Sequence, residues 1–403
     1  MPEPLTPSDY RRLFLDDRPL LDVRAPVEFA QGAFPTAVNQ PLLDDDERHA
    51  VGLRYKEQGH DAAVALGHAL VSGERKAARI EAWAAFVRAH PDGALYCFRG
   101  GQRSRISQAW LAAEAGLTLP RIAGGYKALR RYLLDTLERH PDASAWRVVG
   151  GRTGTGKTEL LQCIEPSLDL EALANHRGSA FGRQLTPQPP QIDFEHRLAI
   201  RLLKYHHTPG LPLLVEDESR NIGSRTVPGP LFETLSQAPL ILVEEAMPQR
   251  VERILRDYVL AIESGYHARG ETDPQGAVGE FLLGNLDRIQ RRLGGVAHRE
   301  LRDLMGEALE AHRAHGDLDG HRAWIERLLS RYYDPMYDHQ LEKKRHRILL
   351  RGDHTRLLEA FAAAGHPVHR PAFAPTGAQA VDESPNPRPT NPPNPRPRPN
   401  LTP

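Results

Sequence analysis

Gly151-Arg152-Thr153-Gly154-Thr155-Gly156-Lys157-Thr158 fills the pattern G-x-x-x-x-G-K-[ST] at every fixed position. The apolar run Trp146 to Val149 precedes it, and a helical stretch from Lys157 to about Ile164 follows. Strand, glycine loop and helix in that order belong to a parallel α/β unit. Glycines let backbone N–H groups point inward around a phosphate, the helix start adds positive potential, and Lys157 sets a point charge on the outer phosphates. Gly151, Gly154, Gly156, Lys157 and Thr158 are therefore candidate diphosphate-binding residues, and Thr158 would hold Mg²⁺ if a metal is used. The competing reading is a glycine-rich β-to-α turn with a chance lysine. Two further apolar strands, Pro212 to Val215 and Pro239 to Val243, end in acidic residues. Asp217 or Glu216 is the candidate for positioning a metal or water, with Asp217 assisting through Mg²⁺. Val243-Glu244-Glu245 competes for that role, and acidic residues can also simply end a strand.

At roughly 100 to 200 residues per domain, 403 residues predict two or three domains. Lys+Arg and Asp+Glu both number 52, so a wholly basic nucleic-acid binder is excluded and any such contact must come from a local patch. No apolar run reaches the roughly 18 residues that span a bilayer. The start, MPEPLTPSDYRRLF, lacks a signal-peptide layout, so a cytoplasmic protein with no membrane contact is expected. Residues 1–140 read as alternating strands and helices, 145–248 as a second α/β unit and 249–365 as helical. Residues 380–403 read as a proline-rich tail, disordered and with polyproline character.

Cys97-Phe98-Arg99-Gly100-Gly101-Gln102-Arg103-Ser104 sets a thiol at a strand end, then glycines, then an arginine at a helix start. Loop N–H groups and Arg103 can cradle an oxyanion or sulfur-type anion, and their positive field favours the nucleophilic thiolate. Cys97 and Arg103 are thus the candidate catalytic pair, against an inert core thiol. Cys163, on the inner side of the phosphate-loop helix, reads as a small core residue. Candidate RNA contacts are Lys127/Arg130/Arg131 and Lys343-Lys344-Arg345-His346-Arg347, against solvated helix faces. Arg250, Arg253 and Arg256 form either a phosphate or tRNA face or an ion-pair ladder. No zinc-type spacing occurs among the 19 histidines.

Leu21-Asp22-Val23-Arg24, Glu28-Phe29, Gly32 to Asn39, the Cys97 loop and Ala123-Gly124-Gly125-Tyr126 resemble the ordered landmarks of a rhodanese domain. A phosphate-loop domain follows, with Asn175-His176-Arg177-Gly178-Ser179-Ala180-Phe181-Gly182 and Val215-Glu216-Asp217-Glu218-Ser219-Arg220. Together, over roughly residues 5 to 350, the chain resembles the tRNA 2-selenouridine synthase family. The resemblance implies a rhodanese-like parallel-sheet domain, then a P-loop NTPase-like α/β domain with a helical C-terminal region. It also implies a bacterial transferase that replaces the sulfur of wobble 2-thiouridine in tRNA with selenium from selenophosphate. An S-geranyl intermediate made from geranyl diphosphate is implied as well, with no cofactor firmly required. A thione sulfur leaves poorly, and alkylation turns it into a thiol that selenium can displace. Arg177 is the expected anion contact in a loop closing over the diphosphate or uridine. Five residues separate Cys97 from Arg103, one more than the usual sulfurtransferase ring and a spacing that also occurs in cysteine phosphatases. Tyr96 replaces the histidine usual in phosphatases, and Phe34 stands where rhodaneses usually carry an aliphatic residue. The rivals are a P-loop ATPase or kinase with a rhodanese sulfurtransferase module, and a non-catalytic tRNA-binding protein.

Overall fold

Short apolar runs closed by turn residues become ten strands among the described residues of the computed structural model. They are β1 (Leu20–Asp22), β2 (Ala37–Asn39), β3 (Ala94–Tyr96), β4 (Trp146–Gly151), β5 (Ser167–Leu168), β6 (Leu213–Glu216), β7 (Asn221–Ile222), β8 (Arg225–Thr226), β9 (Leu240–Val243) and β10 (Ile348–Gly352). The structure describes residues 1–369 apart from Pro141, Ala180, Thr208 and Pro209. The proline-rich tail read at 380–403 lies outside the described residues.

A three-stranded parallel sheet, order β2-β1-β3, pairs Leu20 with both Ala37 and Ala94. A five-stranded sheet, order β10-β9-β4-β6-β5, is also parallel throughout, and β7 and β8 form a separate antiparallel ribbon. Residues of β6 and β9 are buried at every position, as strands covered on both faces require. β4 lies between β6 and β9, so the loop leaving its carboxyl end opens where the chain order reverses, the usual ligand crevice of such sheets.

The stretch Pro120 to Ala123 makes only isolated bridges, Leu95 to Arg121 and Leu5 to Ile122. Gly124 and Gly125, both at positive φ, turn the chain at once into the helix Gly125–Glu138. The region from 249 onward is mostly helical as read, with one exception. β10 lies inside it and joins the phosphate-loop sheet beside β9. Its five residues, Ile-Leu-Leu-Arg-Gly, are too short and too flanked by helix formers for their strand role to stand out.

One apolar core runs from Tyr10, Phe34 and Leu133 through Trp146 and Phe194 to Leu213 and Leu240. The helix Gln191–His207 supplies its polar fastening: Ala33 N–H donates to Asp193 Oδ1 at 2.7 Å, and His196 Nδ1 donates to the Ala33 carbonyl at 2.9 Å. A second core, including Val259, Leu282, Met305 and Trp324, knits the later helices.

His196 gives a pH prediction. Its ring stacks 4.6 Å from Phe34, and its buried Nε2 has no hydrogen-bond partner, so protonation would create an uncompensated charge. Burial lowers its pKa from 6.5 to about 3. The unfolded chain therefore binds the extra proton first, and stability present above pH 6.5 is lost as pH falls toward 3. The whole window is worth on the order of 5 kcal/mol. His196→Asn keeps an N–H for Ala33, and denaturant unfolding should show it losing about 2 kcal/mol less than wild type between about pH 7 and pH 4.5. Equal losses would place the titration elsewhere.

Candidate active site

Gly156, at φ 80°, ends the phosphate loop where a Cβ would lie 2.8 Å from both Arg253 Nε and His354 Nε2, so only glycine fits. The helix Lys157–Gln162 starts immediately after it. The loop carbonyls are held from outside. Arg250 Nε donates to Thr153 O at 2.9 Å, Arg253 Nη1 to Gly154 O at 2.8 Å, and His354 Nε2 to Thr155 O at 3.0 Å. With carbonyls turned outward, the amides are left to face a ligand. Arg250 is only 2% exposed and forks onto Asp334, while Arg253 also binds Glu159 at 2.9 Å. Of the three arginines read as a tRNA face or an ion-pair ladder, these two brace the loop, and Arg256 pairs with Glu159 and Asp257.

Lys157 Nζ donates to Gly151 O at 3.3 Å and lies 5.8 Å from the Tyr337 ring centroid. Burial opposes its charge, but Tyr337, Glu218, Glu171 and Glu216 together outweigh burial and raise its pKa. Thr158 Oγ1 lies 3.3 Å from Glu171 Oε2 and 3.4 Å from Glu216 Oε1. Glu216 also accepts from the Leu170 and Glu171 amides at 2.7 and 3.1 Å. Burial first, then Asp169 and Glu171, push the Glu216 carboxyl well above the carboxylate range. Burial and Glu171 push Glu218 up to about 8. Of the two carboxylates named from sequence, Glu216 is the one that meets Thr158. Asp217 is held by Lys344, whose Nζ donates to both carboxylate oxygens at 2.7 Å.

Such oxygen-rich, charge-deficient surroundings suit a hard cation. Among the described residues no group of three or more His, Cys, Asp or Glu is arranged as a metal cage. Mg²⁺ does not need one, because it keeps waters and uses one or two protein ligands plus substrate phosphates.

Several residues here escaped the sequence reading. Glu171 lies on the five-residue helix Leu170–Ala174, and Tyr258 and Tyr333 come from two π-helical turns, Arg256–Leu260 and Leu329–Tyr333. Such turns recur at functional sites because they re-aim side chains. Ser179 Oγ lies 2.6 Å from Tyr258 Oη, and Arg177 is ion-paired with Asp257, so the 177–179 loop is tied to the first π turn.

The second loop starts at the end of β3. Cys97 is 3% exposed, and its Sγ donates to Ser104 Oγ at 3.3 Å. Tyr126 N–H to Cys97 O at 2.9 Å and Lys127 N–H to Phe98 O at 3.0 Å anchor the loop. Gly125 makes this possible, because a Cβ there would sit 2.2 Å from Cys97 O and 2.4 Å from Gly100 N. Among the described residues, the Arg99, Gly100 and Gly101 amides have no protein acceptor. Arg103 is not aimed at a free anion. Its guanidinium forks onto Glu28, with Nη2 to Oε1 at 3.0 Å. Arg24 braces the same wall: it pairs with Asp22 at 2.6 Å, donates to Gly32 O at 2.9 Å and stacks 3.8 Å from the Tyr126 centroid. Cys163 is buried as read, its thiol donating to Glu159 O at 3.0 Å. In the basic clusters Arg130 binds Glu195 at 2.7 Å, Arg131 binds Asp135 at 2.8 Å and Arg347 caps Ala238 O at 2.9 Å, while Lys127, Lys343, Arg345 and His346 are exposed.

A family profile described as "tRNA 2-selenouridine synthase AAA domain" matches residues 144–366, which carry the phosphate loop, Glu171, Glu216 and the bracing arginines. The chain is 54% identical over 358 residues to the tRNA 2-selenouridine synthase of Bordetella bronchiseptica, covering 89% of this chain and 97% of that protein. It is 53% identical to the same-named protein of Marinobacter nauticus (86% and 94% covered) and 52% identical to that of Pseudomonas fluorescens (89% and 98% covered). No helix among the described residues is long and apolar enough to cross a membrane. With more than half of the aligned residues identical to such relatives across both loops, the chain belongs to the tRNA 2-selenouridine synthase family.

Proposed function

We propose that this chain is a cytoplasmic transferase that replaces the sulfur of wobble 2-thiouridine in tRNA with selenium from selenophosphate. The reaction passes through an S-geranyl intermediate. The observation that carries the reading is the presence of two separate glycine-rich loops, each at the end of a buried parallel strand, one carrying a half-buried lysine and the other a buried thiol. Two phosphate-bearing co-substrates need two such sites.

In the first step the thiouridine sulfur attacks C1 of geranyl diphosphate. The C–O bond breaks with its electron pair going to diphosphate, and N3 gives up its proton. The phosphate-loop amides, Gly151, Gly154, Gly156 and Lys157 hold that leaving group, with Arg177 at the edge of the site. Mg²⁺, when bound by Thr158 with Glu216 or Asp217, would add charge stabilisation on the diphosphate oxygens. In the second step selenium of selenophosphate adds at C2, and the C2–S bond breaks with its electrons going to geranylthiolate. Hydrolysis of the Se–P bond then leaves selenouridine and phosphate. The N-terminal segment acts here as a rhodanese-like domain: the Cys97 loop receives the selenium donor, and Arg103, through its pairing with Glu28, holds the loop in shape. The exposed Lys127, Lys343 and Arg345 provide tRNA phosphate contacts.

Nucleoside mass spectrometry of 2-thiouridine tRNA, with co-substrates added one at a time, tests the scheme. Geranyl diphosphate alone should give the geranylated nucleoside, both co-substrates selenouridine, and selenophosphate alone unchanged thiouridine. Selenium entering without geranyl diphosphate would remove the intermediate.

A further inference from the structure

A cavity of about 460 Å³ opens directly onto the Cys97 loop, within the size range of small-molecule sites. Its construction starts in the long helix Asp45–Leu70, which is broken at Gly59 (φ 81°, ψ −171°). Past the break Ala63, Val64 and Gly67 recur at helical spacing and line one side. Ile106 and Trp110, four residues apart on the helix Gln102–Ala115, line another. Leu42 and Leu43 add to the apolar lining, while Cys97, Gly101 and Gln102 form the polar end. The space is therefore mostly apolar, with Tyr55, His60, His68 and Arg99 also in its walls, and it meets a thiol and uncommitted amides at the Cys97 loop.

That polarity matches a hydrocarbon chain joined to a group that reacts at the loop. A nucleobase would ask for hydrogen-bonding partners along its edges, and the apolar side chains that make up most of the lining do not supply them. We infer that this cavity holds the hydrocarbon chain of the S-alkylated nucleoside while selenium displaces the sulfur. The assignment rests on the S-geranyl reading above and deepens it, because it separates the chain's place in the second step from the diphosphate's place in the first. As the C2–Se bond forms, the C2–S bond breaks, and the electron pair stays on sulfur. The departing alkylthiolate takes a proton and remains with its chain in the cavity until it dissociates. Each buried methylene is worth about fourfold in affinity, so the site should favour longer chains.

The test uses the full chain, selenophosphate and tRNA carrying preformed S-methyl, S-dimethylallyl or S-geranyl 2-thiouridine. Selenouridine formation is followed by nucleoside mass spectrometry. Wild type should convert the geranyl substrate with a KM at least tenfold below that of the methyl substrate. Val64→Phe and Val51→Phe, substitutions at two residues that line the cavity, should each lower the geranyl-to-methyl ratio of kcat/KM at least tenfold. The ratio is read within one variant, so a general loss of fold does not imitate the effect. A wild type indifferent to chain length, or a ratio unchanged in both variants, overturns the assignment while leaving the S-geranyl scheme in place. Selenouridine from none of the three substrates overturns the scheme itself, and the assignment with it.

Discussion

Lys157→Ala should lower geranyl transfer to 2-thiouridine tRNA by at least about 10² to 10³, the loss typical of deleting one preorganised charge from a developing anion. Lys157 is the cation set among Glu171, Glu216 and Glu218, and those three with Tyr337 hold its pKa up against burial. Without it, the diphosphate would meet a nest of carboxylates with only loop amides to hold it. Arg250 and Arg253 cannot take over, because their guanidinium groups are occupied with Thr153 O, Gly154 O, Asp334 and Glu159. Two measurements separate this from misfolding. The variant should still convert preformed S-geranyl tRNA to selenouridine, and it should still fail when geranyl diphosphate is the only source of the chain. Undiminished geranyl transfer would remove the phosphate loop from the first step.

Cys97→Ser should have the opposite signature. Geranylated nucleoside should accumulate, and selenouridine should fall by at least about 10², the loss typical of removing one positioned polar group from a reacting centre, here the thiol of the loop that receives the selenium donor. The substitution is nearly isosteric, and the new hydroxyl can keep the partner that Sγ has in Ser104. The fold therefore should survive, and geranyl transfer serves as its control. Nucleoside mass spectrometry of the same reaction reads both products. Selenouridine at the wild-type rate would make Cys97 a structural thiol, and the apolar cavity beside it would then need another explanation.

The two loops were legible because each is a short contiguous segment whose chemistry depends on local order: strand, glycines, cation, helix. The same holds for Thr158 and for the acidic end of β6, but not for which of its carboxylates, Glu216 or Asp217, meets Thr158. Arg103 was legible as a residue but not in its direction. Its position at the helix start suggests an anion contact, and only Glu28, 75 residues earlier, reveals that its guanidinium is already paired. The reading of Arg250, Arg253 and Arg256 as either a phosphate or tRNA face or an ion-pair ladder caught their ion pairs but missed the bracing of the loop, for the same reason. Their threefold spacing says which side of a helix they share, not that the phosphate loop lies against it.

Residue types and local spacing, by themselves, determined that this chain builds parallel α/β sheets, carries a phosphate loop at 151–158 and ends a strand on a thiol at 97. Those features need only near neighbours, because backbone dihedrals, glycine placement and helix starts are settled within a few residues. Tertiary structure alone decided which carboxylate faces Thr158, which arginines brace the loop, that β10 completes the sheet from more than 100 residues away, and that a cavity stands over Cys97. Those outcomes depend on which surfaces of distant segments are pressed together when the shared core closes. Neighbouring Tyr337 and carboxylates then keep Lys157 charged against burial, while burial itself raises the Glu218 carboxyl and keeps His196 neutral. Periodicity carries no record of such pairings, since the energy that selects them belongs to contacts between segments rather than to any segment.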